Sequence, residues 1–272
     1  GNRTLLLQQV YYKIQFVIVT LSLIAGTLFA TLHADATELT FDISSYAYQE
    51  TSDAGAFFMS DDSAPVFYSL GIRDWSHPNE DGKFGLFYTG ELTFGQVDYF
   101  SSSGTMTKDY YKGRFEGYAA YRINKQISPF LGLGYRHLFD ASGGSRTSTG
   151  NLGYDRLSQY LYAPIGARID PVDKLSIKAQ YNFFLIGNQT SYLSTASSAF
   201  SDISNEQKGG WGVDISVNYE ISDKWSTYGF FRHWDIDKSE ISTGTYAGLI
   251  SFTAWEPQNT TDEFGIGIAY KF

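Results

Sequence analysis

The stretch GIGIAYKF, Gly265 to Phe272, decides how this sequence is read. Ile266, Ile268, Tyr270 and Phe272 fall on one parity, and Gly265, Gly267, Ala269 and Lys271 on the other. Strict alternation predicts a β-strand with one apolar face and one small or polar face. The two faces must meet different surroundings, and the rest of the chain has to say which.

The same alternation recurs upstream. In Trp211 to Ile221, Trp211, Val213, Ile215, Val217, Tyr219 and Ile221 oppose Asp214, Ser216, Asn218 and Glu220. Leu175–Leu185, Tyr111–Ile123 and Phe84–Phe94 repeat the pattern. Weaker versions cover Leu39–Glu50, Pro65–Trp75, Pro129–Asp140, Gln159–Asp170, Lys224–Lys238 and Glu263–Phe272. Pro164 lies inside one of these and predicts a local irregularity, because proline donates nothing to a strand ladder. About ten segments result, each near the length of a tilted strand that crosses a bilayer.

The connections sort by length. Asn124–Gln126, Pro171–Asp173 and Ser222–Asp223 are short, and Ser76–Gly82 is somewhat longer. Thr51–Ala64, Ser101–Asp109, Ala141–Leu157, Asn188–Lys208 and Ile241–Thr260 are long and rich in Ser, Thr, Gly and Asn. A soluble sandwich has no reason to alternate short and long connections. An antiparallel up-and-down transmembrane β-barrel does, with short periplasmic turns, long extracellular loops and both termini in the periplasm. The apolar face then sees lipid, the other face lines the lumen, and closure removes the sheet edge.

Composition agrees. Aromatic residues make up 17% of the chain, which favours strands. The net charge of -9, without a basic patch, argues against nucleic acid as a partner. There is no cysteine, hence no disulfide framework. His77, His137 and His233 come from separate segments without ligand spacing, so no metal and no cofactor are expected. P-loop, dinucleotide-binding, zinc-protease and serine-hydrolase motifs are missing.

The first 36 residues differ. Lys13 precedes the uncharged apolar run Gln15–Leu32, and Ala34 and Ala36 are spaced as a small-residue cleavage site. This predicts a signal peptide over residues 1–36, export by the general secretory route, and a barrel domain over residues 37–272. The competing reading is an uncleaved membrane anchor.

Gly267, Tyr270 and Phe272 resemble the C-terminal assembly signal of Gram-negative outer-membrane β-barrels. The nearest group is the small opacity-type, porin-like surface barrels. The resemblance implies residence in outer-membrane lipid and delivery to the barrel-assembly machinery through the C-terminal strand. Trp225, Tyr228, Tyr270 and Phe272 are expected in one aromatic girdle, and Tyr99, Phe100, Tyr110 and Tyr111 in the other.

The expected lumen lining is Arg73, Glu91, Arg114, Glu116, Arg122, Arg136, Arg168, Lys178, Asp214, Glu220 and Glu263, with Asp235 on the same parity. A barrel of about ten strands is barely wider than one filled by its own side chains. The mixed charges therefore predict a polar, mostly occluded lumen in a surface-exposed structural or interaction protein. The alternative is a small pore for polar solutes. Ala141–Leu157 and Asn188–Lys208 are the loops open to an extracellular partner, whose identity they do not disclose.

A hydrolase reading rests on FRHWDID, where His233 and Asp235 could form a general-base couple, with Asp61 and Asp62 as a carboxylate pair. Omptin proteases, also ten-stranded, carry such groups at the barrel mouth, but the flanking motifs here do not look like theirs. No His–Ser pair suggests a lipid A deacylase. Arg232 breaks the lipid-face pattern of Phe230, Trp234 and Ile236, which predicts either a bulge near Phe231 or an arginine reaching the headgroups.

Overall fold

The computed structural model describes residues 36–272, so the expected signal peptide lies outside the described residues apart from Ala36. The chain runs β1 (Thr37–Thr51), β2 (Phe57–Ser63), β3 (Phe67–Asp74), β4 (Phe84–Ser101), β5 (Gly104–Tyr121), β6 (Ile127–Ala141) and β7 (Asp155–Val172). It continues with β8 (Leu175–Tyr192), β9 (Ile203–Gln207), β10 (Gly210–Glu220), β11 (Trp225–Ile236), β12 (Ser242–Tyr246), β13 (Ile250–Ala254) and β14 (Gln258–Lys271).

These strands make a closed antiparallel barrel of ten staves, with the β12–β13 hairpin outside the ring. Two staves are built from two pieces each. β3 and then β2 fill the place between β1 and β4, and β10 and then β9 lie along β8. The ring closes where β1 pairs with β14 in unbroken register, from Glu38 opposite Lys271 to Thr51 opposite Gln258. GIGIAYKF is therefore the closing stave, and no edge remains there.

Each of the ten expected crossings is present, but the strands run further than the sequence suggested. Ser101–Asp109 is not a loop: β4 and β5 continue to a connection of Ser102 and Ser103, with Ser101 opposite Gly104. Gly104 holds φ +109°, open to glycine and strained for other residues. The proline irregularity is a register shift between Leu161 and Tyr162, close to Pro164.

The outer surface divides at one level. Below it lie Phe41, Leu70, Leu92, Leu131, Ile165, Ile215, Ile266 and Ile268, all exposed. Above it the outward positions turn polar, as at Gln49, Asp98 and Thr107. The apolar band is about ten residues tall along each strand, the span a tilted strand needs. At the turn end, Trp225 packs on Tyr270 at 4.9 Å between ring centroids and Tyr270 on Phe272 at 5.9 Å. Towards the loop end, Tyr68, Phe94, Tyr111 and Phe139 form a cross-strand row. The expected upper girdle is thus corrected. Tyr111 faces out in this row, Phe100 sits well above it, Tyr110 is buried inside, and Tyr99 lies under the Lys108 ammonium.

β11 pairs with β10 and β14 without interruption, so no bulge flips its register. Arg232 points into the barrel together with Phe230, Trp234 and Ile236. Those rings are interior because glycines on the paired strands leave room for them. A Cβ on Gly265 would lie 2.1 Å from the Phe230 ring, and one on Gly212 would lie 2.7 Å from Trp234. Phe67 over Gly95 and Tyr162 over Gly134 repeat the arrangement.

Candidate functional site

The chemistry-bearing side chains collect inside the barrel, in three tiers. At the turn end, residues 75–82, with Trp75, His77 and Pro78, fold back across the opening. The Trp75 indole donates to Ser176 Oγ at 2.9 Å. His77 Nδ1 lies 2.6 Å from Ser128 Oγ, and His77 Nε2 contacts the Asp170 carboxylate. Arg122 donates to the Pro78 carbonyl at 2.9 Å and pairs with Asp81 at 2.9 Å. Arg168 pairs with Asp170 at 3.1 Å, and Arg73 with Glu38 at 2.6 Å. Lys178 has aromatic neighbours: its ammonium lies 4.3 Å from the centroid of Tyr118 and 5.7 Å from that of Trp75. Beneath them Phe87, Ala120 and Phe130 form a small core.

The middle tier is a continuous charge network. Arg114 donates to Asp214 at 2.5 Å and lies 3.7 Å from Glu116. Gln180 donates to Glu116 at 2.7 Å. Arg232 bridges Glu91 at 2.5 Å and Glu263 at 2.9 Å, and Lys112 pairs with Glu263. Arg136 is held by rings, 4.9 Å from the Trp234 centroid and 5.4 Å from that of Tyr160. These buried arginines, lysines and carboxylates have an opposite charge or an aromatic face beside them, as burial away from water demands, whereas buried Asp42 is held by the Tyr228 hydroxyl at 2.8 Å. A cavity of about 60 Å³ remains in this tier, bordered by Asp42, Glu91, Arg114, Asp214 and Arg232. That admits a few waters and no larger solute.

The third tier lies above the apolar band. Tyr46, Tyr48, Met59, Phe67, Val97, Tyr110 and Leu138 fill the bore. Over them Arg156 Nη1 donates to Glu50 at 2.9 Å, and Lys108 Nζ donates to Asp140 at 2.9 Å and pairs with Asp61 at 3.3 Å. Loop residue Glu256 completes the cluster, 3.7 Å from Arg156.

The lumen residues named from sequence sit in these tiers, except Glu220, which is exposed at the turn-end rim, and Asp235, which is on the outer wall. His233 and Asp235 are not a couple at the mouth. Both lie on the outer wall, because β11 keeps its register. His233 Nδ1 bonds Asp262 at 2.7 Å and the ring packs on Trp211, while Asp235 accepts from Gln258 at 2.9 Å. Asp61 faces inward to Lys108, and Asp62 faces outward beside Asp98. Tyr228, expected in the turn-end girdle, instead points inward over Gly267 and donates to Asp42 at 2.8 Å, because it shares the inward parity of Phe230 and Arg232, while Tyr270 and Phe272 belong to the turn-end aromatic row. Sequence reading missed Trp75, His77, Lys112, Lys108, Asp140, Arg156, Glu50 and Glu256. Lys108 and Arg156 would have shown themselves as inward parities had the strands been extended through the Ser- and Gly-rich stretches, and Asp140 already stood on the parity of Arg136 at the end of the expected segment Pro129–Asp140.

Residues 76–272 match the model of the outer membrane protein beta-barrel domain family. The chain belongs to this family. As an outer-membrane barrel it resides in the outer membrane, and the apolar band is its lipid contact. No curated protein matches it. The outer membrane protease OmpT from Escherichia coli is similar in structure, with a TM-score of 0.55, 9% identity, and coverage of 88% of this chain and 97% of that one. That likeness is one of fold. Neisserial surface protein A gives a TM-score of 0.34 with 13% identity, covering 87% of this chain and 97% of its own. The translocator domain of the autotransporter NalP from Neisseria meningitidis gives 0.40 with 9% identity, covering 95% and 96%.

Proposed function

We propose that this outer-membrane barrel is a surface-exposed structural or interaction protein that works through its extracellular face rather than through its bore. The observation that carries this reading is the filled lumen. The turn-end strap, the paired charges and the aromatic tier crowd the bore, and the cavity between Asp42, Arg114 and Arg232 holds only about 60 Å³. A diffusion pore needs a continuous water path, which paired charges and packed rings oppose. On this reading residues 1–36 direct export, and the last strand is the segment handed to the assembly machinery.

The test is conductance in planar bilayers, on detergent-refolded barrel whose closure is first checked by the gel shift between boiled and unboiled samples. The expected result is a heat-modifiable protein that gives no steady single-channel steps. Stable unitary steps carried by the wild-type chain would replace this reading with the small-pore alternative.

A further inference from the structure

The β12–β13 hairpin lies outside the ring but is held along its length. Backbone bonds join β12 to residues 199–201: the Ser201 N–H donates to the Thr245 carbonyl at 2.9 Å, and the Ala247 N–H donates to the Ala199 carbonyl at 2.7 Å. Phe200 packs edge-on against Tyr246 at 4.9 Å and against Phe252 at 6.0 Å between centroids. Ser242 Oγ donates to the Ser204 carbonyl at 2.7 Å. β13 pairs with β12 from Ile250 opposite Tyr246 to Ala254 opposite Ser242. The other edge of β13 has no strand beside it among the described residues. The result is a small fixed sheet with one edge covered and one edge open.

Open edges are normally blunted by lysine, proline or a bulge. β13, with the sequence ISFTA in even register, carries none of these. The corner around it also lacks charge. No charged residue lies between Glu240 and Glu256, and none lies between Lys178 and Asp202. The outer wall elsewhere above the apolar band is acidic, with Asp62, Asp98 and Asp109 exposed. Leu249 is 89% exposed at the hairpin turn, and Ile241, Tyr246, Ile250 and Trp255 are exposed on the same hairpin and its flanks. Apolar groups gathered outside the lipid zone mark a contact surface. A basic partner would select the acidic wall, and an acidic one would be repelled by it. The edge fits an uncharged extended strand with apolar neighbours, and β13 of a second copy is such a strand.

We propose that two copies of this barrel associate through the open edges of β13, each edge extending the other's small sheet. A twofold relation sets the two edges antiparallel and makes one patch complementary to itself. Backbone hydrogen bonds across the seam supply the attraction, and Leu249 and Ile250 supply apolar cover. The hairpin is already fixed by Phe200 and by its bonds to residues 199–201, so pairing orders little new chain. The contact holds no charge and is therefore insensitive to salt. The proposal rests on the reading of the extracellular face as the working surface, and it names the partner. Pairing and conductance are measured separately, so failure of one leaves the other standing.

The test uses the full barrel refolded into phosphatidylcholine vesicles. The chain has no cysteine, so Leu152→Cys gives a unique dye position on a different, exposed loop. Donor-labelled and acceptor-labelled barrels are mixed, and energy transfer between copies is read. The expected result is transfer that survives high salt and is lost when Ser251→Lys and Thr253→Lys put charge on the edge. In an equal mixture, Ser251→Cys barrels and Thr253→Cys barrels should form a disulfide dimer on oxidation, which tests the same edge without added charge. The gel shift on boiling checks that each variant is folded. Equal transfer with the native edge and with the lysine edge would overturn the pairing. So would transfer that disappears on chelating divalent cations, since the contact would then lie on the acidic wall. Barrels that stay single at every protein-to-lipid ratio, while a dye on Leu249→Cys reports a lipid environment, would overturn it in favour of a lipid occupant.

Discussion

The Trp75 indole donates a 2.9 Å hydrogen bond to Ser176 Oγ, joining a strap that leaves β3 to β8 on the far side of the ring. Arg73 stacks on the same indole at 4.6 Å, and Arg168 approaches it at 5.4 Å. The ring is thus a keystone between two cations whose charges are met by Glu38 and Asp170. Trp75→Ala is expected to cost about 3 kcal/mol, mostly as lost packing. Urea unfolding of the refolded barrel checks this, and an unchanged midpoint would mean that the strap contributes nothing to stability.

The middle tier should behave as a unit. Arg232 is shared by Glu91 and Glu263, so Arg232→Met leaves two buried carboxylates short of charge. Removing one partner of a buried pair costs about 3–5 kcal/mol. The double variant Arg232→Met with Glu91→Gln should recover part of the loss, because it removes one of the stranded charges. A double-mutant cycle with a coupling of about 1 kcal/mol or more is the expected outcome, and simple additivity would argue against a network.

Glycine positions give a paired prediction. Gly265→Ala drives a methyl into the Phe230 ring, whereas Gly229→Ala meets nothing closer than a carbonyl oxygen at 3.7 Å. The first should lose about 2 kcal/mol and the second about 0.5 kcal/mol at most. Parallel denaturant titrations settle it. Equal effects would show that the ring moves aside freely.

The boundary of the apolar band can be mapped by arginine. Ile266→Arg, in the middle of the band, should cost about 2–4 kcal/mol in folding into lipid vesicles. Gln49→Arg, above the band on the neighbouring stave, should be nearly silent. Similar losses at both positions would place the bilayer higher on the barrel than the outer-face chemistry does.

Most of the wall was legible because alternation records two surroundings, and the ten crossings follow from it. β11 shows where this fails. Phe230, Trp234 and Ile236 carry the signature of a lipid face and yet are interior, since a narrow bore packs rings over glycine as readily as it pairs charges. Arg232, which looked like the exception on that strand, marks the true inward parity. The upper strands were hidden for a different reason. Above the lipid both faces of a strand meet polar surroundings or a mixed core, so Ser101–Asp109 reads as loop although it is ladder. The strap and the Glu256 cluster are assembled from residues far apart in the chain, which no local period records.

The ring-over-glycine contacts join residues directly opposite each other on adjacent staves: Phe230 with Gly265, Trp234 with Gly212, Tyr162 with Gly134, and Tyr160 with Gly187. Neither member of such a couple is free to change alone. A larger residue in place of the glycine displaces the ring, and loss of the ring opens a void beside a bare backbone. Descendants of this sequence should therefore exchange the two together, or swap them across the seam, and the barrel's interior would then be inherited as dominoes rather than as single residues.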